Sequence, residues 1–224
     1  MSQSVYQKVC SHIVDGTIDP HFVLKDPSDT PEFTWAPGSR DGIYWYHRSE
    51  KDFDGDAYRQ LARAVKAAGR KDFEEADRLF ASLCELHRAI TIDDELQRYI
   101  ITHAGHLDPD DIYHAAMYLL YFSENIECVK IALEMLQMLG EPDDETKEII
   151  RRLGLYDEFT LFCLWNVFKW PDGNEEVFSL AKKVHGWGLI HALSYLKPET
   201  PEIRAFMNTP ECRSALAGLD YEEG

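Results

Sequence analysis

Residues 108–139 read DPDDIYHAAMYLLYFSENIECVKIALEMLQML, and this stretch decides the fold class. Asp108 followed by Pro109 is a helix start. The acidic side chain can accept from the first free amides, and proline at the first helical position forfeits no hydrogen bond. Beyond it Ile112, Ala115, Ala116, Leu119 and Leu120 recur at the spacing of one helix face. Asn125 then offers a second cap, and a second helix is expected over residues 129–139. Two helices with so short a break between them fold back on each other, giving an antiparallel pair.

The same pattern extends in both directions. Tyr58, Leu61, Ala62 and Val65 mark a helix ending at Gly69, and Phe73, Ala76, Leu79, Phe80, Leu83, Leu86 and His87 mark the next. A shorter helix carries Leu96, Tyr99, Ile100 and Ile101, and later helices are expected over residues 144–153, 158–169, 174–184, 187–196 and 201–207. Residues 159–170, FTLFCLWNVFKW, are apolar nearly all round, as in a helix sandwiched between neighbours. The expectation is an all-α protein, a HEAT/armadillo-like stack of antiparallel helix pairs forming an α-solenoid.

Ahead of the stack the pattern changes. A helix is expected over about residues 2–15, closed by Gly16, followed by a stretch poor in helix signals up to residue 52. Within it, EFTWAPGSRDGIYWYH sets two aromatic runs around Pro-Gly and Asp-Gly, which predicts a β-hairpin pairing residues 32–36 with 43–47. Phe33, Trp35, Tyr44 and Tyr46 would supply its docking face, or a binding patch if they are exposed. The expected organisation is an extension over 1–52 packed on a helical-repeat domain over 53–224, as one structural unit.

The runs APGSRDGIYWYH, LGLYDEFTLF, NIECVKIALEMLQML and KKVHGWGLIHA together resemble a group of uncharacterised bacterial proteins with HEAT-like helical repeats. The resemblance implies an α-solenoid with an N-terminal hairpin extension, and it implies no catalytic residues. It also implies either that the last repeat, ending in GLDYEEG, is abbreviated or that this acidic tail acts as its polar cap.

Composition narrows the function classes. Forty Asp and Glu against 23 Lys and Arg give a net charge of −17, a field that repels phosphate backbones and favours a basic protein or peptide partner. Five cysteines without a CxxC pair argue for reduced thiols, and no signal or membrane-spanning run is legible, so a cytoplasmic setting is expected. No HExxH, GxSxG, P-loop or GxGxxG is present. The leading expectation is therefore a non-catalytic interaction or scaffold module, with no cofactor and no membrane partner.

Four places could hold chemistry instead. HAGHLDPDDIYH gathers His103, His106, Asp110 and His114, types that could ligate a metal and support an enzyme if the turn brought them together. Against that, Asp108 is needed as a cap, and Asp110 and Asp111 belong in a first helical turn. DFDGDAYRQLAR places Asp52, Asp54 and Asp56 like a calcium loop but has Ala57 and Arg63 where glycine and glutamate are required. Arg59, Arg63, Lys66 and Arg70 form a basic stripe, a solvated face, a partner surface, or the groove of a nucleic-acid-binding helical-repeat protein. HGWGLIH brackets Gly186, Trp187 and Gly188 with two histidines. Six residues apart on one helix, His185 and His191 would point about 120° from each other and could not share a metal. The glycines favour a structural elbow, with Gly186 as the residue after the preceding helix, Trp187 wedged into the core, and little weight on either histidine.

Overall fold

A computed structural model of the 224-residue chain describes residues 3–26, 29–47 and 53–217. Asp52 and the 218–224 tail lie outside the described residues, so neither the failed calcium loop nor the expected polar cap is described whole. The elements in chain order are α1 (Val5–Ser11), β1 (Ile13–Val14), β2 (Thr17–Ile18), α2 (Ser39–His47), α3 (Gly55–Ala68), α4 (Phe73–Leu83), α5 (Ala89–Thr102), α6 (Pro109–Phe122) and α7 (Ile126–Gln137). After these come α8 (Asp144–Gly154), α9 (Asp157–Val167), α10 (Gly173–Ala181), α11 (Gly186–Tyr195), α12 (Pro201–Met207) and α13 (Pro210–Ala217). The fold is all-α, with helix-pair packing consistent with a solenoid-like class and, among the described residues, one small antiparallel sheet.

The expected division into 1–52 and 53–224 is drawn differently in the structure. Unit 1 comprises Met1–Ser11 and Ser49–Pro142, and unit 2 comprises His12–Arg48 and Asp143–Gly224.

Unit 1 is built around α7. Asp108 caps α6 by accepting from the Asp110 amide, and Asn125 caps α7 by accepting from Glu127 and Cys128. The α7 helix thus starts three residues before the expected position. It lies against α4, α5 and α6, while α3 packs on α4 and α1 on α6. Residues 127–136 are all buried, charged ones included. Lys130 is fully enclosed, with Nζ 2.9 Å from Glu127 Oε1; Arg88 reaches the same oxygen at 3.1 Å, and the Ala89 amide donates to Oε2 at 2.7 Å. These partners offset the cost of taking the Glu127 carboxylate out of water.

Unit 2 is built around α9, which packs against α8, α10, α11 and α2. Residues 159–167 are all buried; Thr160 Oγ1 donates to the Gly154 carbonyl at 2.9 Å and Asn166 to the Phe162 carbonyl at 3.0 Å, while Trp165 Nε1 has no hydrogen-bond partner among the described residues. The expected hairpin at 32–36 and 43–47 is absent. Ala36, Pro37, Gly38 and Ser39 form a turn closed by the Ser39 amide on the Ala36 carbonyl, with Gly38 at φ +75°, but a helix rather than a second strand follows it. The reason is the partner surface. Gly42 lies so close to the Trp187 ring and to His191 Cε1 that a Cβ would clash, and one turn later Tyr46 stacks on His191. Trp45 lies against Trp165 in a tilted ring contact, centroids 5.0 Å apart. Helical phase puts these residues onto α9 and α11, which extended geometry would not.

A hairpin does exist earlier. The N-terminal helix ends at Ser11, not near residue 15, and Asp15-Gly16, both at positive φ, turn β1 into β2 with Val14 opposite Thr17. Gly16 is therefore a hairpin-turn residue, not a helix stop.

Candidate functional site

Unit 2 contains an open cleft of about 550 Å³. One wall is β2 and the segment after it, including Ile18, Pro20, Phe22 and Val23; the other is the α8–α9 corner at Leu155, Tyr156 and Asp157. Pro37 and the turn from Lys183 to Gly186 complete the rim. The volume falls within the roughly 300–1,000 Å³ range of small-ligand sites, and the lining is mainly apolar with few polar groups, as in such sites.

Each wall has a local cause. The Asp19 carboxylate accepts from the His21 amide at 2.9 Å and the Phe22 amide bonds back to the Asp19 carbonyl, which folds residues 19–22 into a tight bend. Phe22 is held by His12, stacked at 4.2 Å, and by Tyr156, whose ring centroid is 5.1 Å away. The Leu24 amide donates to the Tyr156 hydroxyl at 2.9 Å, fastening this segment to the α8–α9 corner.

Asp157 is the unusual group. Desolvation raises its carboxyl to about 6, against the stabilising pull of the Gly188 amide and the positive field of His185. Among the described residues it forms no ion pair, and His185 is itself 3.2 Å from Glu211. The glycines around it explain the HGWG motif. A Cβ on Gly188 would sit 2.5 Å from Asp157 Oδ1, one on Gly186 3.0 Å from Oδ2, and one on Gly38 2.5 Å from the Asp157 carbonyl oxygen. Side chains at Gly186 and Gly188 would displace the carboxylate from the start of α11, where an anion is favoured, and one at Gly38 would press on the Asp157 backbone.

The motif is thus placed differently from expectation. The α10 helix already ends at Ala181, and Gly186, at φ +48°, opens α11 instead of closing the helix before it. Trp187 is only half-buried, set beside Gly38 and Gly42. His185 is exposed, whereas His191 is completely buried, so the light structural weight expected of both histidines fails for the second. The His191 Nδ1 lies 3.1 Å from the Tyr46 hydroxyl, which also meets Ser194 Oγ at 3.0 Å, while Nε2 has no hydrogen-bond partner among the described residues. Burial lowers His191 to about 4, outweighing the Gly38 backbone and the Asp41 charge, which favour the cation.

The other sequence candidates stand apart from the cleft. His103 stacks on Tyr99 at 4.0 Å with Nδ1 on that residue's carbonyl oxygen, while His106, Asp110 and His114 are exposed. These four do not bring three ligand atoms within 4.8 Å of one another. Arg59, Arg63, Lys66 and Arg70 are exposed; Arg59 pairs with Asp56, and the fields of Arg63 and Arg70 fall on Glu75. Trp35 is half-buried, with Arg40 over its ring at 5.3 Å; Tyr44 and Tyr46 are half-buried on α2. Sequence reasoning missed Phe22, Tyr156 and Asp157. Only the Asp-Gly turn at 15–16 could have signalled the wall they share.

No helix of the described residues is long and apolar enough to cross a membrane. Protein-family models give no match to this chain, and neither do the curated proteins or the solved structures.

Proposed function

We propose that the protein is a non-catalytic interaction module of the HEAT-like helical-repeat class, cytoplasmic, which holds a basic protein or peptide partner through the cleft of unit 2. The observation that carries this is the cleft itself: preformed, mainly apolar, and bordered by a carboxylate with no ion-pair partner among the described residues. The net charge of −17 sets the sign of the partner and would speed its encounter at low salt. Five free cysteines suit a reducing setting.

The test is fluorescence anisotropy with labelled basic and acidic peptides at low and high salt. Basic peptides should bind, more weakly as salt rises, and Val23→Trp should weaken them several-fold by filling the cleft from an exposed position. A protein that binds no basic peptide even at low salt does not have this function.

A further inference from the structure

We infer that the cleft of unit 2 recognises an alkylammonium group on an apolar stem, with Asp157 as its counter-ion and Phe22 and Tyr156 as its aromatic wall. The inference rests on the proposed binding role of the cleft and names the chemistry of the bound group.

Three observations converge. First, Asp157 lines the cleft and is largely withdrawn from water with no ion pair among the described residues, only the field of exposed His185 falling on it, so a cation brought by a ligand would complete its pairing. Second, Phe22 and Tyr156 line the same cleft with ring centroids 5.1 Å apart, and aromatic faces attract ammonium groups most strongly where water is excluded. Third, the remaining lining is largely aliphatic, including Ile18, Val23 and Leu155, and suits a hydrocarbon stem. The other charged groups at the rim do not substitute for this pairing. Asp19 is engaged by the His21 amide, His185 by Glu211, and Lys183 is exposed. Glu158, next to Asp157, accepts from the Gly38 amide at 2.7 Å.

The ammonium can come from a free amine or from a lysine of the basic partner. The experiment titrates n-hexylammonium, n-hexanol and a lysine-bearing basic peptide into the full chain, read by calorimetry and by amide shifts of residues 17–23, 155–157 and 183–186. The ammonium should bind better than the alcohol and lose roughly tenfold or more in Asp157→Asn, the scale of one charge-assisted hydrogen bond. Asparagine keeps an acceptor for the Gly188 amide. Phe22→Leu should weaken the ammonium more than the alcohol. In the unaltered protein, ammonium affinity should fall as pH drops below about 6, where Asp157 takes up its proton while the amine stays charged. If hexylammonium and the peptide both act on these residues, the site accepts either source; if only the peptide does, the source is a lysine side chain. Equal binding of amine and alcohol, unchanged by Asp157→Asn, overturns the inference and leaves the cleft as an apolar partner site. A basic peptide that binds without moving these resonances overturns it too, whereas a protein that binds no basic peptide overturns the interaction role beneath it.

Discussion

The α7 and α9 helices are the centres of their units and both are buried on all sides, yet they meet opposite chemical demands. Unit 1 encloses charge on α7 and surrounds the Glu127 carboxylate with partners: Lys130 and Arg88 on one oxygen, the Ala89 amide on the other. Unit 2 keeps charge out of the middle of α9, where Thr160 bonds to the Gly154 carbonyl at the end of α8 and Asn166 to the Phe162 carbonyl of α9 itself. Its awkward ionisable groups, Asp157 and His191, sit where α9 and α11 begin and cross, and both are pushed toward their neutral forms. A charge with its counter-charge built in is structural. In unit 2 the Asp157 carboxylate has only the Gly188 amide and the field of exposed His185 to hold it, which is why the proposed binding role is placed there.

The sharpest way to break this contrast is to remove one partner in unit 1. Lys130→Ala leaves Glu127 under-compensated in the core and should cost about 3–5 kcal/mol in denaturant unfolding followed by circular dichroism. A loss below about 1 kcal/mol would mean that water reaches the site.

The titration of unit 2 comes next. Asp157 is raised from 3.8 to about 6, so the folded state holds more protons than the unfolded chain between those values, and its contribution falls as pH rises through them. His191 is lowered from 6.5 to about 4, so its contribution is present above 6.5 and is lost as pH falls toward 4. The two trends oppose each other and should leave the unaltered protein nearly flat between pH 4 and 6. Asp157→Asn should unmask an acid-side loss of about 3 kcal/mol, and His191→Asn a slope of the opposite sign. All five tryptophans, Trp35, Trp45, Trp165, Trp170 and Trp187, belong to unit 2, so intrinsic fluorescence follows these changes there. Parallel slopes in the two variants would refute the opposition.

Smaller effects refine the picture. Gly188→Ala places a methyl group 2.5 Å from Asp157 Oδ1 and should cost about 1–3 kcal/mol by calorimetry. Asn125→Ala removes the two-amide cap of α7 and should cost about 1 kcal/mol; no measurable change in melting temperature would show that packing alone sets that helix start.

The helices around α6 and α7 were legible because their caps and stripes are local signals that the tertiary structure leaves intact. The all-round burial of α7 was not, because Glu127, Lys130 and Glu134 read as a wet face until their surroundings are known. The α2 helix was misread for a related reason: the aromatic run IYWYH favours strands in isolation, and only contact with Trp165 and His191 makes helical spacing worthwhile. The Asp15-Gly16 turn was legible in principle, since β-favouring residues flank it, but it stands close enough to a helix to pass for its end. As for the cleft, its walls come from residues 17–23, 155–157 and 183–186, and no spacing rule links a carboxylate at 157 to glycines at 186 and 188.

The allocation of chain segments between the units has a consequence for synthesis on the ribosome. Residues 12–48 belong to a body whose remaining segment starts at residue 143, so once translated they wait while about 95 further residues are made, roughly 5–20 s at ordinary elongation rates. For that interval an aromatic-rich stretch, with Phe22, Trp35 and Trp45 in it, is without the helices of unit 2 that it will pack against. Slowing or accelerating translation across residues 49–142 therefore lengthens or shortens the exposure of one defined segment, and the nascent chain is most open to chaperones there.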